Sequence, residues 1–309
     1  MSTLRLGTRG SSLALWQADW MATLLRSLAD GPEVEIVRVK TLGDTDRSTR
    51  LSEMGSTGVF TKALEDALLD GRVDLAVHSL KDVETTLAPG TTLGAFLPRE
   101  DPRDALVTAD GATLLELPDG ARVGTGSLRR TAWLLRARPD LEVVPVRGNV
   151  PTRVGKIQGE GLDAVVLAAA GLKRLGMEEH ISEFLDPERF VPAPGQGIVA
   201  VQIRADDPAT QAHVGRVDDP VSRAAAEAER AFLAHLGGGC LLPVGAHGTL
   251  DRERVHLRGA LSSVEGASWL QEEDGGAVGE AESVGRRLAD RLLNNGGRAI
   301  LDGVRDRIQ

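Results

Sequence analysis

What limits the choice of folds most sharply for this chain is a join that recurs along it. An apolar run ends in a glycine turn, and a helix-period segment then opens on a hydroxyl or amide side chain. The join is clearest at Val123-Gly124-Thr125-Gly126-Ser127-Leu128-Arg129-Arg130. It recurs at Val146-Arg147-Gly148-Asn149-Val150-Pro151-Thr152-Arg153, where Pro151 suits a first helical turn, and at Gly7-Thr8-Arg9-Gly10-Ser11. Strands that pass directly into capped helices at this spacing predict βαβ units and parallel sheets.

The remaining chain fits that frame. Strands are expected at Leu4–Gly7, Val34–Lys40, Val73–Ser79, Ala105–Thr108, Arg122–Thr125, Leu141–Arg147 and Asp163–Ala168. Helices are expected after Ser11 or Ser12, over Val59–Leu69, Leu128–Ala137 and Pro151–Gln158, and from Leu172. The polar tract Thr41–Thr57 reads as a loop. The Pro/Gly break Val191–Gly197 precedes a strand, Ile198–Arg204, that is expected to return to the first unit. Beyond Pro220 a helix, three strands and a last helix over Ala277–Leu293 describe a small α+β unit. The predicted class is thus α/β: two hinged α/β domains of the kind seen in periplasmic-binding-protein-like receptors, plus a small C-terminal α+β domain. The boundaries are 1–98 with 198–217, then 99–197, then 218–309.

Length supports several domains, since 309 residues exceed one ordinary core. The formal net charge of −9 argues against a nucleic-acid partner. No run is long and apolar enough for a membrane span, and Met1 to Gly7 lacks a signal-peptide pattern, so a cytoplasmic protein is expected. A single cysteine excludes an intrachain disulfide, and the histidines show no metal-ligand spacing, so no metal is expected.

Charge is uneven, however. Arg122, Arg129, Arg130, Arg136, Arg138, Arg147, Arg153 and Lys156 crowd one stretch, opposed by Asp140 and Glu142. Backbone N–H groups at a helix start bind anions, and arginine forks match carboxylates. Three such joins with arginines and hydroxyls point to a small polyanion carrying several carboxylates or phosphates. Lys81 and Asp82 follow the strand ending in Ser79, at the carboxyl end of a strand, where open α/β sheets bind ligands. Asp82 could accept an N–H from a pyrrole-like ring or stabilise a cation, or it could simply pair with Lys81. His78 alternates into the strand and reads as a core residue. Arg129 stands where a dinucleotide fingerprint needs its third glycine, and no Walker-type Gly-Lys-Ser/Thr occurs. The lone Cys240 follows Gly237-Gly238-Gly239 and precedes Pro243. It is either a small buried hydrophobe or a thiol offered on a loop. As a hydrolytic nucleophile it would need a base such as His235 or His247.

These motifs, in this order and nearly end to end, resemble the porphobilinogen deaminases, also called hydroxymethylbilane synthases. The resemblance rests on Gly7-Thr8-Arg9, Ser11 to Ala18, Gly43-Asp44, Phe60-Thr61-Lys62, Ala76 to Asp82 and Arg99 to Ala105. It continues through Ser127 to Arg130, Arg147 to Val150, Ala170 to Arg174, Gly195-Gln196-Gly197 and Gly238-Gly239-Cys240. It implies a monomeric transferase of porphyrin and heme biosynthesis. Such an enzyme deaminates porphobilinogen and joins four units on a dipyrromethane cofactor, held as a thioether on Cys240, and then releases hydroxymethylbilane. Asp82 would be the catalytic carboxylate. Lys81, Ser127, Arg129, Arg130 and Arg147 would hold cofactor side arms, and Arg9, Ser11, Phe60, Arg153, Arg174 and Gln196 would meet substrate. A polyanion-binding protein without catalysis is the alternative. The chain departs from the family at Glu53 and at Ser56-Thr57, where relatives carry lysine, and at Glu84, where proline is usual.

Overall fold

A computed structural model describes residues 3–40, 61–238 and 242–308. Two five-stranded sheets and one three-stranded sheet organise these residues. The first sheet uses β1 (Thr3–Thr8), β2 (Glu33–Arg38), β3 (Leu75–Ser79), β4 (Thr91–Phe96) and β10 (Val199–Arg204). The second uses β5 (Asp104–Thr108), β6 (Arg122–Gly124), β7 (Glu142–Val144), β8 (Ala164–Ala168) and β9 (Glu183–Phe184). The third is an antiparallel meander of β11 (Val244–Asp251), β12 (Arg254–Ser262) and β13 (Trp269–Ala277). The helices are α1 (Ser12–Arg26), α2 (Lys62–Leu69), α3 (Leu128–Ala137), α4 (Val150–Gly159) and α5 (Ala169–Arg174). They continue with α6 (Pro208–Val214), α7 (Pro220–His235), α8 (Ala281–Leu292) and α9 (Arg298–Ile308). Two α/β sheet units and a small α+β unit are the class expected from sequence.

The expectation of parallel sheets needs correction, because both large sheets are mixed. Their orders are β2-β1-β3-β10-β4 and β7-β6-β8-β5-β9. Parallel pairs β1–β2, β1–β3, β6–β7 and β6–β8 follow the βαβ joins. Strand β10 instead runs antiparallel to β3 and β4, and β5 antiparallel to β8 and β9. The reason is where the chain crosses between sheets. Val199 lies opposite Ser79 and Asp104 opposite Ala168, so each crossing delivers a strand at the carboxyl end of its new neighbour. A strand entering there can only run backwards. The return of Ile198–Arg204 to the first sheet was legible, whereas β4, α6 and α9 were not expected.

Each sheet buries its own apolar layer. Leu6, Met21, Leu25, Leu75 and Val201 fill one side of the first sheet; Trp133, Val123, Val166 and Phe190 fill one side of the second; Phe232, Leu257 and Leu288 fill the third unit. The units meet at Glu229 of α7, which is fully buried. Its carboxylate accepts from Arg99 Nη1 (2.5 Å) and from the backbone N–H groups of Gly195 (2.5 Å) and Gly248 (2.6 Å). The two crossings also touch: Glu100 N–H donates to Gly197 O at 3.0 Å. A Cβ on Gly197 would lie 2.3 Å from Glu100 O, so only glycine fits. No helix among the described residues is long and apolar enough to cross a membrane.

Candidate functional site

The site forms where the crossings enter, at the carboxyl ends of the strands. Strand β3 ends in Ser79, whose hydroxyl accepts from Gln17 Nε2 of α1 at 2.9 Å. One tight turn, Leu80–Asp82, then presents Lys81 and Asp82. Lys81 Nζ lies 3.4 Å from Gln196 Oε1 on the second crossing. Burial first, then the nearby Arg130 guanidinium, push Lys81 down to about 8, against the opposing pull of Asp82 and Asp104.

The joins at β6–α3 and β7–α4 are capped alike. Ser127 Oγ accepts from Arg130 N–H (3.4 Å), and Asn149 Oδ1 accepts from Thr152 N–H (3.0 Å). Their arginines behave differently. Arg129 and Arg130 are both buried, and both turn inward to Asp104, the first residue of β5. Arg129 Nη1 donates to Oδ2 at 2.7 Å, while Arg130 Nε and Nη2 donate to Oδ1 at 2.9 and 2.8 Å. Asp104 is held well below the carboxylate range by these two cations, which outweigh its burial. At the next join, Arg153 Nε donates to the backbone oxygen of Gly148 at 2.7 Å, and Arg147 Nη2 is buried without a hydrogen bond. Burial, with Arg130 and Arg147 nearby, lowers Arg153 to about 10, and Asp82 opposes them. Arg130, Arg147, Arg153 and Asp82 therefore share one field.

The other expected residues fall around this centre. Ser11 caps α1, its Oγ accepting from Ala14 N–H at 3.3 Å, and the charge of Arg9 is felt by buried His78. His78 is pushed down to about 4, chiefly by burial, which fits a core residue rather than a base at neutral pH. Arg174 is buried and donates to Gly197 O at 2.7 Å, near the rings of Trp16 and Trp20, and its Nε has no partner. Burial lowers it to about 10. Gln196 is fully buried between Lys81, Arg130, Asp104 and the backbone oxygen of Pro102. Phe60, Cys240 and the tract Thr41–Thr57, with the departures at Glu53 and Ser56-Thr57, lie outside the described residues.

The approach to Cys240 is described up to Gly238. Gly238 has φ +63°, and a Cβ there would lie 2.9 Å from Thr85 Oγ1. The residue two before the cysteine thus sits beside the residue three after Asp82. Arg230 of α7 fastens the same segment, donating to the backbone oxygens of Val83 (3.2 Å), Glu84 (2.8 Å) and Thr85 (3.2 Å). At position 84 the carbonyl makes that contact, and a proline would supply it equally well. His235 is engaged with Asp290 at 2.7 Å, and burial pushes His247 down to about 4.

Sequence reasoning missed Asp104, Arg99 and Glu229. A signal for Asp104 was available, because a carboxylate opening the apolar run Ala105-Leu106-Val107 must find a buried cation.

Fold and site together define an α/β protein with buried guanidinium nitrogens short of acceptors gathered about its strand ends, beside the carboxylates of Asp82 and Asp104. Comparison with known proteins narrows this class. A family model described as porphobilinogen deaminase, dipyromethane cofactor binding domain, matches residues 4–212, and one described as porphobilinogen deaminase, C-terminal domain, matches 224–294. The chain belongs to the porphobilinogen deaminase family. The porphobilinogen deaminase of Pelobacter propionicus is 47% identical over 304 residues, covering 98% of each chain. That of Syntrophotalea carbinolica is 47% identical over 300 residues, covering 97% of this chain and 95% of its own. That of Geobacter sulfurreducens is 44% identical over 307 residues, covering 99% and 96%.

Proposed function

We propose that this chain deaminates porphobilinogen and joins four units head to tail into hydroxymethylbilane, using a dipyrromethane carried on Cys240. The observation that carries the proposal is the set of buried guanidinium nitrogens with no acceptor, on Arg129 and Arg147, which share the field of the Lys81–Asp82 turn, and on Arg174, bonded to Gly197 O of the second crossing. Cations left short of acceptors inside a protein are costly unless an anion completes them. The carboxylate side arms of a dipyrrole and of porphobilinogen are such anions, so the residues present fit the group.

When bound, the cofactor supplies a nucleophilic pyrrole carbon. The chain's own residues supply position and charge. Lys81, Arg147 and Arg153 hold carboxylates, with Ser127 and Arg130 at the neighbouring helix start; Arg9, Ser11, Phe60, Arg174 and Gln196 complete the substrate side. Arg129 belongs to the cofactor side through its unsatisfied Nε. Asp82 accepts pyrrole N–H groups and stabilises the positive charge that grows on the ring nitrogen as ammonia departs. The domain frame of this reading is 1–98 with 198–217, 99–197 and 218–309. The protein works as a cytoplasmic monomer without a nucleic-acid partner.

Intact mass and turnover test the proposal. Wild type carries a covalent dipyrrole and Cys240→Ser carries none. Asp82→Asn keeps the adduct and loses turnover by roughly a hundredfold or more, as expected when a main electrostatic group is removed. An active wild type of unmodified mass defeats the cofactor assignment, and a fully active Asp82→Asn defeats the role of that carboxylate.

A further inference from the structure

We infer that Asp104 is a positioning residue for this site: it fixes Arg130 directly and, through the side-chain amide of Gln196, the turn bearing Lys81 and Asp82. The inference rests on the transferase reading only for what the site does, not for how it is held.

Asp104 has no solvent exposure, and both its oxygens are engaged. Oδ2 accepts from Arg129, and Oδ1 accepts from Arg130 and from Gln196 Nε2 at 2.9 Å. Arg130 is held on a third side, with Nη1 donating to the backbone oxygen of Val166 at 3.1 Å. Its guanidinium plane is therefore fixed before any ligand arrives, which is the preorganisation a charged site needs.

The amide of Gln196 carries the constraint across to the first sheet. Its Nε2 faces two acceptors, Asp104 Oδ1 and the backbone oxygen of Pro102 at 2.7 Å. That fixes which way the amide points, so Oε1 is turned toward two cations, Lys81 Nζ at 3.4 Å and Arg130 Nη2 at 3.3 Å. Only a carboxylate at position 104 gives this pattern without ambiguity, because an amide there could donate as well as accept. The line Asp104–Gln196–Lys81 thus joins β5 of the second sheet to the end of β3 in the first. Asp104 also acts by its charge. The groups facing Lys81 are Arg129 and Arg130 from α3, Asp104 from β5, Asp82 on its own turn and the neutral Gln196. The arginines favour loss of the lysine proton, and the two aspartates favour its retention.

The test is a lysine titration on the full chain with its cofactor. Lysines occur only at positions 40, 62, 81, 156 and 173, so isotope-labelled side chains can be assigned by substitution. In Asp104→Asn the Lys81 midpoint is expected to fall by at least about half a pH unit, the size of effect a nearby charge exerts. The alkaline limb of kcat/KM moves down with it, and the fraction of chains carrying the adduct drops. Asp104→Glu restores part of each change. If Asp104→Asn does not fold, Gln196→Leu replaces it. That variant keeps the buried ion triad and is expected to lower the same midpoint. An unchanged Lys81 midpoint and alkaline limb in either folded variant overturns the inference. Absence of any adduct in wild type overturns the transferase reading instead and leaves the lysine titration decisive for Asp104.

Discussion

The joins at β6–α3 and β7–α4 are near copies in sequence and opposites in electrostatics. Each has a strand end, a glycine turn, a polar cap and two arginines. At the first, Asp104 sits in the interior and takes both guanidinium groups. At the second, Arg153 finds a backbone oxygen and Arg147 keeps a buried nitrogen unsatisfied. The difference teaches that an arginine at a helix start keeps most of its donors for a ligand only when the protein withholds a carboxylate from it. The first join is mostly framework, with the Nε of Arg129 left over, and the second is mostly reach, although a reader of the sequence would assign both the same task.

The comparison can be broken in several ways. Arg129→Met should have the largest effect, because it leaves Asp104 with a buried charge only partly compensated. A loss of about 3–5 kcal/mol is expected, read as a fall in Tm on the order of 10 °C. A Tm within about 2 °C of wild type would remove the distinction between the joins. Arg147→Leu should leave Tm nearly unchanged and instead lower kcat/KM roughly 10- to 100-fold, the worth of one charge-assisted carboxylate contact. Stability loss without kinetic loss would reverse its assignment. Lys81 faces the same site, with its Nζ 3.4 Å from Gln196 Oε1. Its charge is present at neutral pH and is lost as pH rises through about 8. On that ground kcat/KM should fall by about tenfold between pH 7 and 9, and Lys81→Met should flatten this limb while lowering the plateau. The smallest effects are those the joins share. Ser127→Ala and Asn149→Ala should each cost about 1 kcal/mol in denaturant unfolding. Clearly unequal costs would show that the caps, too, have diverged.

The sequence made the joins, the caps and the order of most elements readable, because hydrophobic period and turn chemistry are local. Ser11, Ser127 and Asn149 each cap the helix they precede, and β10 joins the sheet expected of it. Pairing across long separations was not readable. Nothing near Arg129 announces that its partner lies at position 104, and nothing near Glu229 announces that it binds Arg99, Gly195 and Gly248. The antiparallel course of β5 and β10 was hidden for the same reason, since it depends on which end of a sheet the chain enters. Strand β4, with Thr91-Thr92 and Gly94, offered too little apolar alternation to stand out.

The contact between the two crossings constrains motion as well as shape. Gly197 and Glu100 are bonded back to back, too close for any side chain to part them. Sliding one sheet past the other would tear that stitch, whereas rotation about an axis through it would leave it whole. Any relative movement of the two sheets is therefore confined to turning about that line, as the pages of a book turn on its spine, and the other bonds across the sheets resist even that.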